Sequence, residues 1–443
     1  MKKIKILFAS LIVLSCFFAS CLPITKQISF MHSVIANAEY AKKIVTSGTC
    51  GENLTWNFKK STGTLTISGT GAMEDWRDGR KCPWYHLHED IKKVVLEDGI
   101  TTIGDSSFYI CNALESIIIP DSVTTIGNSA FYMCDALEYV TIPDSVTSIG
   151  DHTFFQCSAL KSIVIPDSVT TIGEATFLNC YALKSIIISN SVTTIGKKTF
   201  AYCQSLTSIT IPDSVTTIGD RVFERCYALK SVKISNWVTT IGEEAFDYCE
   251  SLTSITIPES VTTIRESAFK HCKSLTSIHV DENNLHYSSQ DGILFDKNKS
   301  ELIKFPIKNT IIEYIIPDSV TTIGDRAFEE CHDLKFVTIP DSVITIGEEA
   351  FYNCSLTTIT IENPECEIYD SDYTILNMVP VTSYARRNAS NSVTICGHDN
   401  STTQAYAETY NRNFVSLETK NPITNILNKI KWQSGLFNRR SLG

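Results

Sequence analysis

The sequence has no excess of positive charge, and this narrows its possible partners. Its 443 residues carry 38 Lys and Arg against 49 Asp and Glu, a formal net charge of −11. A nucleic-acid-binding face needs clustered basic side chains to displace counterions from phosphates. We therefore expect no nucleic-acid partner, and the same balance gives no support to binding at an anionic membrane surface.

The sequence also lacks the short motifs of common enzymes and metal sites. It contains no H-E-x-x-H, no G-x-S-x-G and no P-loop. The densest cluster of metal-capable side chains is HLHED at residues 86–90. Zinc needs three or four converging ligands, and no second cluster has a matching spacing. We predict no catalytic residues, no cofactor and no metal site.

Long apolar runs are absent except near the N-terminus. Three lysines among the first five residues precede an uncharged apolar run at residues 6–18, which is typical of an export signal. Cleavage before Cys21 would leave a lipid anchor on that cysteine, whereas the A-x-A site at residues 36–38 would not. The apolar stretch of about 17 residues is short for a spanning helix. We predict an export segment over residues 1–38 and an extracellular or cell-surface location.

A 23-residue repeat occupies most of the chain. Its consensus is L-x-S-I-x-I-P-D-S-V-T-T-I-G-x-x-A-F-x-x-C-x-x, and ten cysteines mark its register. They are Cys111, Cys134, Cys157, Cys180, Cys203, Cys226, Cys249, Cys272, Cys331 and Cys354. The last two follow an insertion. Repeats of this length indicate stacked units that share a continuous core.

Each part of the repeat has a physical interpretation. The alternation in S-I-x-I predicts a short strand with Ile facing inward. P-D-S is turn chemistry, and V-T-T-I is a second extended piece. The spacing of Phe, Cys and Leu after Gly favours one short helical or 3₁₀ turn. A Phe in every unit, from Phe108 to Phe351, predicts an internal column, and each buried ring stabilises by roughly 1.5–3 kcal/mol.

The repeat resembles the BspA-type leucine-rich repeat of bacterial surface proteins over about residues 91–361. The resemblance implies a β-rich (α/β-type) leucine-rich-repeat solenoid with short strands and short helical turns, which binds proteins or glycans at the cell surface and is not an enzyme. We predict a β-rich N-terminal cap over 45–90 and an irregular insertion at about 281–313. A C-terminal cap over 362–417 and a flexible tail over 418–443 complete the layout.

The register cysteines have three possible interpretations: buried thiols, disulfides between rungs, or metal and redox chemistry. Their position on the apolar stripe favours buried thiols, because free Cys packs as a small hydrophobe. Cys50 with Cys82, and Cys366 with Cys396, lie off the register, and either pair could form a disulfide. The recurring Asp after Pro is interpreted as a turn former rather than a Ca²⁺ ligand. The acidic residue after I-G is interpreted as the cap of a helical turn.

The outward positions of the first strand form a ribbon rich in Ser, Thr, Val and Ile. Four larger side chains interrupt it: Tyr139, Lys233, His279 and Phe336. Exposed aromatic and charged groups on a regular surface are candidate binding residues. We expect a monomer that binds an extracellular protein or polysaccharide through this ribbon. The alternatives are an exported hydrolase with a site in the flanks or insertion, and a passive spacer.

Overall fold

The computed structural model describes residues 45–377 and 393–418, which coil into a β-solenoid of about 13 turns. This confirms the predicted repeat solenoid. The predicted export segment with Cys21 lies outside the described residues, as does the tail beyond Glu418. Successive rungs pair in parallel with the register of the repeat, for example Ile163 with Ile186 and Ile172 with Ile195. The 23-residue period is therefore the length of one rung.

The S-I-x-I segments form the first side of the solenoid, which we call the strand face. Its inward residues are buried and its outward residues are exposed, as in Tyr139–Thr141, where only Val140 points inward. The strands are Lys93–Leu96, Ser116–Ile118, Tyr139–Thr141, Ser162–Ile165, Ser185–Ile188, Ser208–Thr210, Ser231–Lys233, Ser254–Ile257 and Ser277–Val280, followed by Glu313–Ile315, Phe336–Ile339, Thr358–Ile361, Thr394–Gly397 and Asn413–Ser416.

The V-T-T-I segments form the second side. It begins as a nine-stranded sheet made of Gly71–Ala72, Ile100–Ile103, Thr125–Ile126, Ser148–Ile149, Thr171–Ile172, Thr194–Ile195, Thr217–Ile218, Thr240–Ile241 and Thr263–Ile264. After the insertion a second sheet contains Tyr287–Gln290, Ile293–Asp296, Glu301–Lys304, Thr322–Ile323, Thr345–Ile346 and Glu367–Ile368. The first three of these strands are the antiparallel insertion itself.

The two ends of the described chain differ from the rungs. Strands Ser47–Gly51, Leu54–Lys59 and Thr64–Gly69 form an antiparallel meander, followed by 3₁₀ turns Gly79–Lys81 and Tyr85–Leu87. Near the other end, helix Thr402–Thr409 and the strand pair Phe351–Tyr352 with Ile375–Leu376 depart from the pattern. The predicted boundary at residue 90 stays a prediction, because Thr64–Gly69 already pairs with Lys93–Leu96 in one sheet.

The third side runs from the Gly of each rung to its Cys, and we call it the turn edge. The predicted short turn is present here as successive i→i+3 hydrogen bonds, such as Tyr132 N to Ser129 O at 3.1 Å and Cys134 N to Phe131 O at 3.2 Å. Two residues in each rung have a positive φ, such as Ser129 (53°) and Met133 (57°). Their N–H groups donate to the next rung, at 2.8 Å to Asp151 O and 2.7 Å to Phe155 O. These bonds offset the cost of left-handed backbone in non-glycine residues.

The acidic residue after Gly, such as Asp105 or Asp151, has a different role from the predicted cap of a helical turn. The Asp105 carboxylate accepts from Asn128 N at 2.6 Å, and Asp151 accepts from Glu174 N at 2.7 Å. Each of these side chains therefore bonds to the backbone of the following rung. The function of the position is structural, but the side chain links rungs instead of capping the start of a helical turn.

The Phe column is continuous in each half of the solenoid. Phe154, Phe177 and Phe200 are fully buried and stack with ring centroids 5.5 and 5.7 Å apart. Beside the column, nine of the ten register thiols, all except Cys111, donate to a Phe carbonyl of the preceding rung, as in Cys180 Sγ to Phe154 O at 3.2 Å. This bond, together with packing, explains a cysteine in every rung. All fourteen described cysteines are free thiols, including Cys50, Cys82, Cys366 and Cys396.

Candidate functional site

The strand face presents two columns of outward side chains. In the first column the rungs mostly carry Ser, and in the second they carry Thr, Ile, Val, Lys or His. Paired rungs place equivalent residues side by side, such as Ser208 with Ser231 and Thr210 with Lys233. Because neighbouring strands lie about 4.8 Å apart, the face is a regular grid on which an extended ligand can contact several rungs.

The four predicted binding residues all lie on this face and are exposed, but they do not form one cluster. Tyr139 and Phe336 occupy the first column, about nine strand spacings or roughly 40 Å apart. Lys233 and His279 occupy the second column, with Thr256 between them. His279 Nε2 lies 3.0 Å from Ser277 Oγ. Only a long ligand can contact all four residues.

Tyr139 has a charged neighbour that fixes its surroundings. Lys161 Nζ lies 5.2 Å from the centre of the Tyr139 ring and 2.5 Å from the Glu138 carboxylate. The hydrogen bond to Glu138 is the main reason why the pKa of Lys161 is raised. The ammonium group therefore stays protonated over the ring, where a cation–π contact is favourable. The ring keeps its other side toward solvent.

The structure adds an apolar patch that the sequence did not single out. Ile118, Val164 and Ile187 are 72%, 54% and 63% exposed in the second column, close to Tyr139 in the first. The four residues lie on four successive strands, and we call them the apolar patch. A surface cavity of about 370 Å³ borders Ile187, between residues 185–190 and residues 208–212. The signal in the sequence was an apolar residue at a position where other rungs carry Thr or Lys.

The turn edge also carries aromatic rings, but they cover one another. Tyr109, Tyr132 and Phe155 stack with centroids 5.1 and 4.4 Å apart. Arg225 lies between Tyr202 and Tyr248, at 5.1 and 4.9 Å from the two ring centres. Since the ring faces are occupied, these ladders stabilise the stacking of rungs and leave only edges for a ligand.

The metal-capable and nucleophilic side chains considered in the sequence are buried or make contacts within the protein. His86 Nε2 lies 2.7 Å from Val45 O, and the His88 ring stacks on Tyr85 at 4.7 Å. Among the described residues, no group of three or more His, Cys, Asp or Glu is arranged to hold a metal ion. Burial raises the pKa of the Cys180 thiol to about 12, so this sulfur stays protonated and unreactive at neutral pH.

Comparisons with known proteins point to one repeat family. The model of the BspA type leucine rich repeat region matches in six copies over residues 84–207, 193–315 and 304–382. A leucine-rich cell surface protein of Faecalibacterium prausnitzii is 26% identical, with a TM-score of 0.50 over 85% of this chain and 96% of that one. A leucine-rich repeat protein of Bacteroides ovatus is 25% identical, with a TM-score of 0.43 over 78% and 84% of the two chains. No curated protein matches the sequence.

Within 45–377 and 393–418, no helix is long and apolar enough to cross a membrane.

Proposed function

Because the chain belongs to the BspA-type leucine-rich repeat family, we propose that it is a non-enzymatic binding or adhesion protein, secreted or held at the cell surface. Proteins of this family are typically bacterial cell-surface proteins, and leucine-rich repeat proteins generally act as binding scaffolds. The partner we propose is an extended extracellular polypeptide, bound along the strand face.

The apolar patch is the observation that carries this proposal. Ile118, Val164 and Ile187 expose branched apolar side chains on three of four successive rungs, with Thr141 on the remaining one, where a purely structural surface would favour polar residues. A polypeptide can cover them with apolar side chains of its own, whereas a polysaccharide presents mainly hydroxyl groups. Lys233 and His279 lie farther along the same column, so a long partner would meet apolar groups first and basic or neutral polar groups afterwards.

Binding along a regular face favours many weak contacts. Each rung offers a similar small surface, so we expect modest affinity that increases when the partner spans several rungs. Tyr139 and Phe336 are far apart on the face, and a short ligand can contact only one of them. A long partner should depend on both.

The test is a binding assay of the purified protein against a panel of extracellular matrix proteins and polysaccharides. For a partner found in this way, we expect weaker binding by Tyr139→Ala, by Phe336→Ala and by the triple variant Ile118→Ser, Val164→Ser, Ile187→Ser. The matched control Ser208→Ala, Thr210→Ala changes the same two columns without removing an apolar group. Asp167→Asn and EDTA should have no effect.

Three outcomes would contradict the proposal. Loss of binding with EDTA while both aromatic variants bind normally would move the site to the Asp-bearing turns. Binding to polysaccharides alone would reject a polypeptide partner. The absence of any partner in the panel would favour the passive spacer.

A further inference from the structure

The repeat is interrupted once, after Cys272, and a cavity opens there between two rungs of the turn edge. Its volume is about 240 Å³, room for about eight water molecules at their liquid volume. One wall is formed by residues 264–270, and the other by residues 301–304 and 324–329. The site is separate from the strand face.

A shortened rung causes the cavity. Gly324 N donates to Leu302 O at 3.0 Å and Phe305 N donates to Ala327 O at 2.8 Å, so Leu302 and Phe305 occupy the regular Ile and Phe positions. A regular rung has four residues between these positions, as between Ile103 and Phe108, but only Ile303 and Lys304 lie between Leu302 and Phe305. With two residues fewer, the backbone takes a shorter path and leaves space beside residues 264–270.

The missing stretch leaves backbone donors without acceptors. In regular rungs three alternate N–H groups donate to the next rung, for example Ser129 to Asp151 O, Phe131 to Thr153 O and Met133 to Phe155 O. The same positions before the interruption are Ser267, Phe269 and His271. Within the described part of the chain, the N–H groups of these three residues have no hydrogen-bond acceptor. Ser267 and Phe269 line the cavity.

The opposite wall carries an acceptor without a donor. Glu329 is 2% exposed, and its Oε2 has no hydrogen-bond partner among the described residues. Its Oε1 lies 3.9 Å from Lys270 Nζ and 4.0 Å from His271 Nε2, beyond hydrogen-bond length. Lys304 Nζ donates to Arg326 O at 2.9 Å and makes no hydrogen bond to Glu329 Oε2. Burial raises the pKa of Glu329, as expected for a carboxylate that lacks sufficient partners.

The charges of the lining limit the kind of ligand. Four cationic and four acidic side chains line the cavity, so the lining carries no net formal charge and does not select a ligand by net charge alone: Arg265, Lys270, Lys304 and Arg326 against Glu266, Glu301, Asp325 and Glu329. An anion alone would leave Glu329 Oε2 without a donor. A simple cation would leave the N–H groups of Ser267 and Phe269 without acceptors. The ligand needs an acceptor and a donor together.

We propose that this cavity binds a primary ammonium group next to a carbonyl or carboxylate, as found in a free α-amino acid and in the amino terminus of a peptide. The carbonyl or carboxylate oxygen accepts from the N–H groups of Ser267 and Phe269. The ammonium group donates to the carboxylate of Glu329, which lines the cavity. The ligand thus replaces the hydrogen bonds that a full-length rung would make.

Calorimetric titration of the purified protein tests the assignment with glycine, glycylglycinamide, N-acetylglycine and methylamine. We expect glycine to bind, and N-acetylglycine and methylamine, which each lack half of the recognised pair, to bind at least about ten-fold more weakly. Binding of glycylglycinamide as tight as that of glycine identifies a peptide amino terminus as the source, and binding of glycine alone identifies a free amino acid.

Variants separate ligand recognition from structural effects. Glu329→Gln should weaken glycine binding at least about ten-fold. Glu224→Gln is the matched control, since Glu224 also follows the column Phe but lies in a regular rung. Hydrogen exchange should show slower exchange of a peptide covering residues 265–272 when glycine is present, and no change over residues 196–203. No glycine binding up to about 10 mM, equal binding of N-acetylglycine, or equal losses in both variants would overturn the proposal.

Discussion

Phe177→Ala tests the internal column where it is most regular. The ring is fully buried and stacks on Phe154 and Phe200 at 5.5 and 5.7 Å. Replacing a buried Phe by Ala costs about 3–5 kcal/mol. Because two rings lose a stacking partner, each such pair being worth about 0.5–1.5 kcal/mol, we expect a loss in the upper half of that range.

The assay is chemical unfolding followed by circular dichroism, with Thr210→Ala as the control. Thr210 is an exposed residue of the strand face, and exposed substitutions usually change stability by no more than about 0.5 kcal/mol. Each rung contacts only its neighbouring rungs. In Phe177→Ala, amide hydrogen exchange should therefore accelerate most in the rungs next to residue 177 and less in rungs farther away. Equal losses in the two variants would refute the assignment of inward and outward faces.

Two further predictions concern the turn edge. The register thiols should be labelled slowly in the native protein, at pH 7 and pH 9 alike, and completely in denaturant. The reason is that burial raises the pKa of Cys111 and Cys180 to about 12. Rapid labelling of the native protein, or disulfides between rungs in a peptide map, would contradict this prediction. Gly173→Ala should destabilise by about 1–3 kcal/mol, because its Cβ would lie 2.5 Å from Asp151 Oδ1 and 2.7 Å from Asp151 N. Gly219→Ala is its matched control, since the nearest atoms lie 3.4 Å away, and a melting curve that drops equally for both would show that close approach is not the cause.

Much of the fold could be predicted from the repeat. A fixed period with Phe and Ile at constant positions specifies stacked rungs, and alternation in L-E-Y-V-T-I correctly places Val140 and Ile142 inside and Tyr139 outside. The positive-φ backbone of the turn edge could not be predicted. Ser, Met and Tyr have no preference for positive φ, and the hydrogen bonds that stabilise this conformation come from the next rung. The bond from a register thiol to a Phe carbonyl, as in Cys180, depends on the same stacking.

The apolar patch and the cavity could not be predicted from the sequence, for two different reasons. In the sequence, outward Ile and Val count with Ser and Thr as ordinary ribbon residues, and only the exposures show that Ile118, Val164 and Ile187 form a patch. The cavity depends on two missing residues between Leu302 and Phe305. That deletion is visible only when the hydrogen bonds show which residues of the insertion occupy the regular positions.

Hydroxyl-radical footprinting of the complex with an identified partner tests the central claim that the strand face binds. Tyr139, Phe336 and Trp237 are all exposed aromatic residues, but Trp237 lies in the turn between the two sheets and not on the strand face. The binding account predicts that the partner protects Tyr139 and Phe336 from oxidation and leaves Trp237 unchanged. Protection of Trp237 with undiminished oxidation of Tyr139 and Phe336 would contradict it.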